Sequence, residues 1–259
     1  MVIERENLLG PDDAEPVLLL NAQGRSPFLL TGDHAGRAIP QALGALGLGA
    51  DDLARHIAWD IGVRALGERL SAALDAPFIH QRYSRLVIDC NREPSTQDAI
   101  PPLADGSHIP ANQALSQAQK SARITEIHHI YHAAIAHEIA RREALAMPTI
   151  LIALHSFTPK LGEQVRPWEI GVLHNGANDD FARALLRVLP SDGALTVGDN
   201  EPYHMDATDF SIPHHAFARH LPYAEIEVRQ DLIADQAGRL RWATILADAL
   251  PRAAAAHND

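Results

Sequence analysis

Histidine and carboxylate side chains follow or end several apolar segments of this sequence, and their types suit metal-dependent hydrolysis. His34 follows PFLLT, His155 follows PTILIAL, Asp60 lies in HIAWDIG and Glu227 lies in AEIEV. Two histidines and one carboxylate form a ligand set that zinc accepts while one position stays open for water. The sequence therefore predicts a metal site formed by His34, Asp60 and His155. Glu227 is the predicted base that accepts the proton of the attacking water.

Each of these predictions has an alternative within the sequence. A histidine at the end of a strand is more often a structural hydrogen-bonding residue, so each placement alone is a weak signal. Asp33 directly precedes His34 and could be the carboxylate ligand in place of Asp60. Glu225 shares a predicted strand face with Glu227 and could be the base instead.

Two arginines and an asparagine in YSRLVIDCNREP indicate the charge of the substrate. Arg85 and Arg92 are seven residues apart, and Asn91 stands beside the second. Arginine binds carboxylates through paired hydrogen bonds. We therefore expect an anionic small-molecule substrate. The alternative interpretation is that these arginines form salt bridges with Asp89 or Glu93.

Four further histidines cluster on one long helical pattern and are expected to lie outside the site. His128, His129, His132 and His137 are predicted to be solvated or to cap the helix. The string HEIAR resembles the zinc motif HExxH, but Arg141 stands where the second histidine is required.

Composition restricts the class of protein. The chain has 259 residues, 46% of them hydrophobic, with a net charge of -11 and one cysteine. The negative charge argues against nucleic acid and anionic membranes as partners. A single cysteine excludes a disulfide framework within the chain and indicates a reducing compartment. The N-terminal segment MVIERENLLGPDD lacks a signal-peptide pattern, and no apolar stretch has the length of a membrane span. We expect a cytoplasmic protein, and the sequence does not determine its oligomeric state.

Strand-like and helical segments alternate along the chain. This alternation predicts an α/β fold, a three-layer αβα sandwich with a mixed, mostly parallel sheet. Ligands bind such sheets beyond the carboxyl ends of the strands, where His34, Asn91, His155 and Glu227 fall. Predicted strands cover 17–22, 27–31, 78–91, 148–154, 168–173, 194–197 and 224–228, and predicted helices cover 51–74, 113–146, 178–189 and 236–250.

The segment 93–112 contains four prolines and no hydrophobic periodicity. A loop of this length in a compact chain is usually functional, so we predict that it is an active-site loop. Residues 1–259 are predicted to form a single domain.

Seven motifs in order resemble the N-formylglutamate amidohydrolase family over residues 27–245. They are TGDHAGRAIP, HIAWDIG, YSRLVIDCNREP, LHSFTP, GVLHN, NEPYHMDATDFSIPHH and EIEVRQDLI. The resemblance implies a phosphorylase/hydrolase-like fold, similar to zinc carboxypeptidases and the aspartoacylase group, and a bound divalent metal such as Zn2+. Asp33 replaces the proline of the typical pattern, and EVRQDL replaces an ELNR-like string, so the chain resembles a side branch of the family.

The same resemblance assigns roles to individual residues and a reaction to the chain. It implies hydrolysis of an N-acyl amino acid, N-formyl-L-glutamate to formate and glutamate, in amino-acid metabolism such as histidine degradation. A metallocarboxypeptidase or another N-acyl amino acid deacylase is the alternative within the fold, and a catalytically silent ligand-binding relative is the alternative outside enzymes. The implied roles are metal ligation by His34, Asp60 and His155, catalysis by Glu227 and Arg85, and substrate binding by Asn91, Arg92 and His215.

Overall fold

A computed structural model describes residues 7–176, 178–189 and 195–258. Seven strands form one sheet in the spatial order β1-β3-β2-β6-β11-β9-β10. The strands of this sheet are β1 Val17–Leu20, β2 Phe28–Gly32, β3 Phe78–Gln81, β6 Ile150–Phe157, β9 Ile170–Leu173, β10 Val197–Asp199 and β11 Tyr223–Arg229. Two small hairpins are formed by β4 Leu103–Ala104 with β5 Ser107–His108 and by β7 Lys160–Leu161 with β8 Gln164–Val165.

The helices are α1 Ala50–Ala54, α2 Val63–Leu74, α3 Gln117–Arg123, α4 His129–Ala144, α5 Asp180–Val188, α6 Ser211–His215 and α7 Gln236–Asn258. A π-helical turn, Ile124–His128, joins α3 to α4 without a break. Among the described residues, no helix combines the length and the apolar character needed to cross a membrane.

Four neighbouring strands, β3, β2, β6 and β11, run parallel. The edge strand β1 is antiparallel to β3, and the pair β9 and β10 runs antiparallel to β11. The predicted mixed, mostly parallel sheet is therefore confirmed. The carboxyl ends of β2, β6 and β11 meet at one edge, which brings together side chains that are far apart in the sequence.

Hydrophobic packing on both faces of the sheet forms the three predicted layers. On β2, Phe28 and Leu30 pack with the helices α2, α5 and α7, whereas Leu29 packs with α4. All eight residues of β6 are buried, as expected for a central parallel strand covered on both faces. Leu154 faces the α2 layer, so His155 points to the α4 layer.

The helix predicted over 51–74 is wrong in its middle. Only α1 and α2 form, and Asp60 lies in the segment between them rather than on a helix. The backbone N–H of Asp60 donates to the carbonyl oxygen of His34 at 2.9 Å, and the carbonyl of Ala58 accepts from Arg85 N. These tertiary hydrogen bonds use backbone groups that a continuous helix would need.

The strand predicted over 78–91 is also mostly wrong, because β3 ends at Gln81. The chain then turns at Ser84, whose Oγ accepts a hydrogen bond from the backbone N–H of Leu86 at 3.1 Å. Asp89 N donates to Ala99 O at 2.7 Å instead of joining the sheet. Arg85 and Asn91 are therefore carried by a folded loop and do not flank a strand.

Other predicted elements are confirmed with shifted ends. The long helical pattern is present as α3, the π-helical turn and α4, and the last helix continues past Pro251 to Asn258. The strand predicted at 194–197 is present as β10, which begins at Val197; residues 190–194 lie outside the described part. The segment 93–112 contains the hairpin β4–β5 and two single 3-10 turns.

Gly171 on β9 provides a test of how the sheet supports the cavity. A Cβ atom at Gly171 would lie 1.9 Å from the carbonyl oxygen of Glu201, in the loop that precedes Tyr203. The substitution Gly171→Ala is expected to lower the free energy of unfolding by about 1–3 kcal/mol, because the packed backbone must move. Chemical denaturation would measure this change.

Gly10→Ala is the matched control, because the nearest atom to its added Cβ is Asp13 Oδ2 at 3.7 Å. We expect this control to be nearly neutral. Equal stabilities for the Gly171 and Gly10 variants would contradict the proposed close packing.

Candidate active site

A cavity of about 500 Å³ opens at the edge where β2, β6 and β11 end. It brings together seven of the eight sequence-predicted site residues, Glu227 among them, and also Glu225, the alternative base. His215 is the exception, since it does not line this cavity. The predicted residues around it are His34, Asp60, Arg85, Asn91, Arg92, His155, Glu225 and Glu227.

Three buried side chains form a compact group at the bottom of this cavity. One ligand atom from each of His34, Asp60 and His155 lies within 4.8 Å of the others. Asp60 Oδ2 is 3.5 Å from His34 Nδ1 and 2.9 Å from His155 Nδ1. The three residues are at most 3% exposed, so water solvates their polar atoms poorly.

The outer nitrogens of both histidines contact buried carboxylates. His34 Nε2 lies 2.6 Å from Asp89 Oδ1, and His155 Nε2 lies 3.2 Å from Asp33 Oδ2. A carboxylate accepts hydrogen bonds, so each Nε2 carries a proton and donates it. The Nδ1 atoms of both rings face Asp60, and His155 Nδ1 donates a hydrogen bond to Asp60 Oδ2 at 2.9 Å, where a bound metal would take the place of this proton. Such carboxylate–histidine pairs orient metal-binding histidines in proteins.

This donor set fits a divalent metal. Among the described residues, His34 Nδ1 is a buried nitrogen with no hydrogen-bond partner. Burial alone lowers the pKa of His155, but its hydrogen bonds to Asp33 and Asp60 raise the pKa well above its usual value. A proton on His155 thus compensates the negative charge of Asp60, and a bound cation would take over this role. The His34–Asp60–His155 group can hold a metal ion, and two imidazoles with a carboxylate suit zinc.

The geometry separates the two aspartates that the sequence left as alternatives. Asp60 faces the inner nitrogens of both histidines. Asp33 instead accepts from the outer nitrogen of His155 and from the hydroxyl of Tyr131, the latter at 2.6 Å. Although burial opposes its ionisation, these partners hold the pKa of Asp33 well below its ordinary value. Asp33 therefore has the position of a carboxylate that orients a ligand.

The two glutamates of β11 point into the cavity from the same face of the strand. Burial raises the pKa of Glu227 from 4.5 to about 8, and it raises that of Glu225 in the same direction. One carboxyl oxygen of each glutamate is buried without a hydrogen-bond partner among the described residues. In the register of β11 with β6, Glu227 is paired with His155, whereas Glu225 is paired with Ala153.

The arginines predicted to bind substrate already have acidic partners. Arg85 donates from Nε and Nη2 to Asp89 Oδ2 at 3.0 and 2.6 Å. Its Nη1 is 3.7 Å from Asp60 Oδ1, too far for a hydrogen bond, so this group retains donor capacity. Arg92 donates from Nη1 to Asp209 Oδ1 at 3.2 Å. The salt-bridge interpretation is thus correct for Arg85 with Asp89, yet both arginines still line the cavity.

Asn91 has a structural function at the start of α6. Its Oδ1 accepts hydrogen bonds from the backbone N–H groups of Phe210 and Ser211 at 3.0 and 2.9 Å. Its Nδ2 donates to Asp209 Oδ1 at 3.3 Å. Asn91 therefore holds the loop with Asp209 against the cavity.

Two histidines predicted to lie at the surface are buried instead. His128 is 1% exposed and His132 is 6% exposed, so the solvated or capping role is wrong for both. His132 Nε2 lies 2.8 Å from Cys90 O, and its Nδ1 lies 2.9 Å from His215 Nε2. These contacts hold His215 in the layer of α4 and α6, behind the cavity.

Sequence reasoning missed Arg166, the residue that follows β8. Arg166 is 3% exposed, and its Nε atom has no hydrogen-bond partner among the described residues. Its Nη1 donates to the hydroxyl of Tyr203 at 2.9 Å, and its guanidinium lies 4.6 Å from the centre of that ring. Tyr203 lines the cavity, and the charge of Arg166 lowers the pKa of Glu227, although burial is the larger effect and raises it.

The segment 93–112 borders the site without lining the cavity. Asp98 lies 3.4 Å from Arg92 Nε, and Asp105 accepts a hydrogen bond from Arg55 at 2.6 Å. Its role as an active-site loop stays a prediction.

Comparisons with known proteins identify the family and the fold of the chain. A family model of N-formylglutamate amidohydrolase matches residues 26–234. The crystal structure of a gene product from Agrobacterium tumefaciens is similar at 33% identity, with a TM-score of 0.94, over 98% of this chain and 100% of that chain. N-formylglutamate amidohydrolase from Ralstonia eutropha is similar at 18% identity and a TM-score of 0.66, over 93% of this chain and 98% of that chain. No curated protein matched the chain.

The fold and the family match define an amide-hydrolysing enzyme of the α/β class. The chain belongs to the N-formylglutamate amidohydrolase family, whose model matches most of its length. The resemblance of the seven motifs is thereby confirmed. The Ralstonia eutropha structure supports the shared fold.

Asp33 provides a test of how the histidines are oriented. The substitution Asp33→Asn removes the charge that holds the proton on His155 Nε2, so we expect zinc affinity to fall about 10- to 100-fold. Competition against a chromophoric chelator would measure this affinity. Asp199→Asn is the matched control, because Asp199 contacts His174 Nε2 at 2.8 Å outside the metal-binding group. Unchanged zinc affinity in Asp33→Asn would contradict the orienting role.

Proposed function

We propose that this chain hydrolyses the amide bond of an N-acyl amino acid in a metal-dependent reaction, with N-formyl-L-glutamate as the substrate. The observation that carries the proposal is the buried His34–Asp60–His155 group beside Glu227. Family membership supports the reaction class, and the dense negative charge at the sheet edge supports a cationic cofactor. Zn2+ is the proposed metal, with His34, Asp60 and His155 as its ligands.

A divalent metal held by His34, Asp60 and His155 would supply a Lewis acid for the carbonyl and would lower the pKa of a water molecule at the site toward about 7. The protein must then accept a proton from the water and deliver it to the departing nitrogen. Glu227 is suited to this exchange because burial brings its pKa to about 8, close to neutral pH. The strand register puts Glu227 next to His155, which favours it over Glu225 as the base.

Arg85 is proposed to stabilise the negative charge that develops on the carbonyl oxygen. Its side chain is 27% exposed toward the cavity, and Nη1 is the donor without a close acceptor. The bonds to Asp89 keep the guanidinium in one orientation before substrate binds. A preorganised donor of this kind typically contributes about 3 kcal/mol to lowering the barrier.

The α-carboxylate of the substrate is assigned to Arg92, and Asn91 helps to position Arg92. Arg92 lines the cavity and is held by Asp209, and Asn91 holds the segment that carries Asp209. Direct contact between substrate and His215 is not part of the proposal, since His132 holds His215 in the layer of α4 and α6, behind the cavity.

The side-chain carboxylate of the substrate is assigned to the pair of Tyr203, which lines the cavity, and Arg166, which lies behind Tyr203 and donates to its hydroxyl. Among the described residues, Arg166 is a buried arginine near the cavity that makes no ion pair with a carboxylate. A buried charge without a partner is costly, so an anionic ligand would be favourable there. This assignment predicts a preference for a substrate with a second carboxylate.

Activity assays provide the direct test of the reaction. N-formyl-, N-acetyl- and N-succinyl-amino acids and a short peptide would be compared, with release of the free amino acid as the measurement. We expect N-formyl-L-glutamate to be turned over fastest and chelation of the metal to abolish turnover until Zn2+ is restored. Faster turnover of the peptide or of another acyl group would instead favour the carboxypeptidase or deacylase alternative.

Glu227→Gln keeps the size of the side chain but removes its ability to accept a proton. We expect kcat to fall on the order of a hundredfold to ten-thousandfold, with zinc content unchanged. Glu225→Gln is the matched control and should retain more activity. A larger loss in Glu225→Gln than in Glu227→Gln would reverse the assignment of the base.

Arg166→Gln tests the carboxylate assignment. We expect KM for N-formyl-L-glutamate to rise about tenfold to a hundredfold, because a charge-assisted hydrogen bond is lost. KM for N-formyl-L-glutamine, whose side chain is neutral, should change little, and this substrate serves as the control. Equal effects on both substrates would contradict binding of the side-chain carboxylate by Arg166.

A further inference from the structure

A second cavity, of about 370 Å³, lies on the other side of the loops that carry His34 and Asp60. None of its lining residues lines the active-site cavity. We refer to it as the arginine pocket. It is lined by Ala35, Gly36, Arg37, Ala38, Trp59, Arg64, His80 and Arg82.

The arginine pocket concentrates positive charge in a protein of net charge -11. Arg64 donates to Glu68 at 2.9 Å, which offsets one of the three guanidinium groups. Arg37 and Arg82 make no side-chain hydrogen bond or ion pair with any described residue. The guanidinium of Arg37 lies 5.3 Å from the centre of the Trp59 ring, which holds it at the pocket.

The backbone brings these two arginines together. A Cβ atom at Gly36 would lie 2.0 Å from the carbonyl carbon of Arg82, so the two segments are in direct contact. Ala38 N also donates to Arg82 O at 3.1 Å. Because only glycine permits this approach, backbone packing at Gly36 fixes the position of Arg37 relative to Arg82.

Two buried polar atoms in the pocket wall have no partner among the described residues. They are the indole Nε1 of Trp59, a donor, and the Nε2 atom of His80. His80 is 0% exposed, and its Nδ1 lies 3.1 Å from Gln81 O. A carbonyl oxygen can only accept, so Nδ1 carries the proton and the neutral ring presents Nε2 as an acceptor. Burial, the largest effect, lowers the pKa of His80 and favours this neutral form.

A matching ligand must accept hydrogen bonds from arginine and indole groups and donate one to His80, and a small shift of the pocket wall must admit it because His80 is 0% exposed. Sulfate and simple carboxylates lack the donor at neutral pH. Hydrogen phosphate has negatively charged oxygens together with one hydroxyl. We propose that the arginine pocket is a binding site for inorganic phosphate, separate from the active-site cavity.

Calorimetric titration of the purified full-length protein with sodium phosphate at pH 7 tests this proposal, with sodium sulfate in a parallel titration. We expect phosphate to bind with a stoichiometry of one and at least tenfold more tightly than sulfate. Methyl phosphate, which has largely lost its hydroxyl proton at this pH, is expected to bind more weakly than phosphate. Absence of phosphate binding, or equal or tighter binding of sulfate or methyl phosphate, would overturn the proposal.

Variants of the pocket residues would test whether phosphate binds in the arginine pocket. The double substitution Arg37→Gln with Arg82→Gln should weaken phosphate binding at least tenfold, whereas His80→Phe should remove the preference over sulfate. Arg187→Gln is the control for a loss of charge at an exposed position on α5. Circular dichroism would verify that each variant is folded. Phosphate binding that survives the double substitution would assign the ion to another site, such as the metal.

Discussion

The hydrogen bonds from the outer nitrogens of His34 and His155 to buried carboxylates are the interactions on which the site depends. Asp89 and Asp33 each accept a hydrogen bond from the outer nitrogen of one ring, which leaves the Nδ1 atoms of both rings facing Asp60. Without these partners, each ring could exchange its proton or rotate. Asp89 also binds Arg85, so a single carboxylate orients both a histidine and the arginine beside it.

Burial of so many acidic groups at one edge of the sheet has an energetic consequence. Asp60, Glu225 and Glu227 lie close together in a cavity with little solvent, where like charges repel strongly. Burial, the larger effect, and this repulsion together raise the pKa values of both glutamates, whereas His34 and His155 keep Asp60 ionised. A divalent cation would relieve this repulsion. The raised pKa of the glutamates provides an enzyme with a carboxyl group that exchanges protons near neutral pH.

The chemistry-bearing residues could be predicted from the sequence because they directly follow or end apolar strands. His34 and His155 were identified in this way, and parallel strands bring their carboxyl ends to one edge. The helix at Asp60 and the strand at Arg85 were wrong, since hydrogen bonds between distant loops replaced the local pattern. Arg166 had no signal in the sequence, because an isolated arginine in a turn is expected to be exposed.

The sequence alone determined the order of the elements, the mostly parallel sheet and the family, because hydrophobic periodicity and ordered motifs are local properties. Tertiary structure alone decided between Asp60 and Asp33 as the carboxylate that faces both histidines. It also paired Glu227 with His155 and moved His215 out of the cavity. The physical reason is that side-chain roles depend on distance, burial and proton position. These quantities are defined only once segments far apart in the chain are packed together.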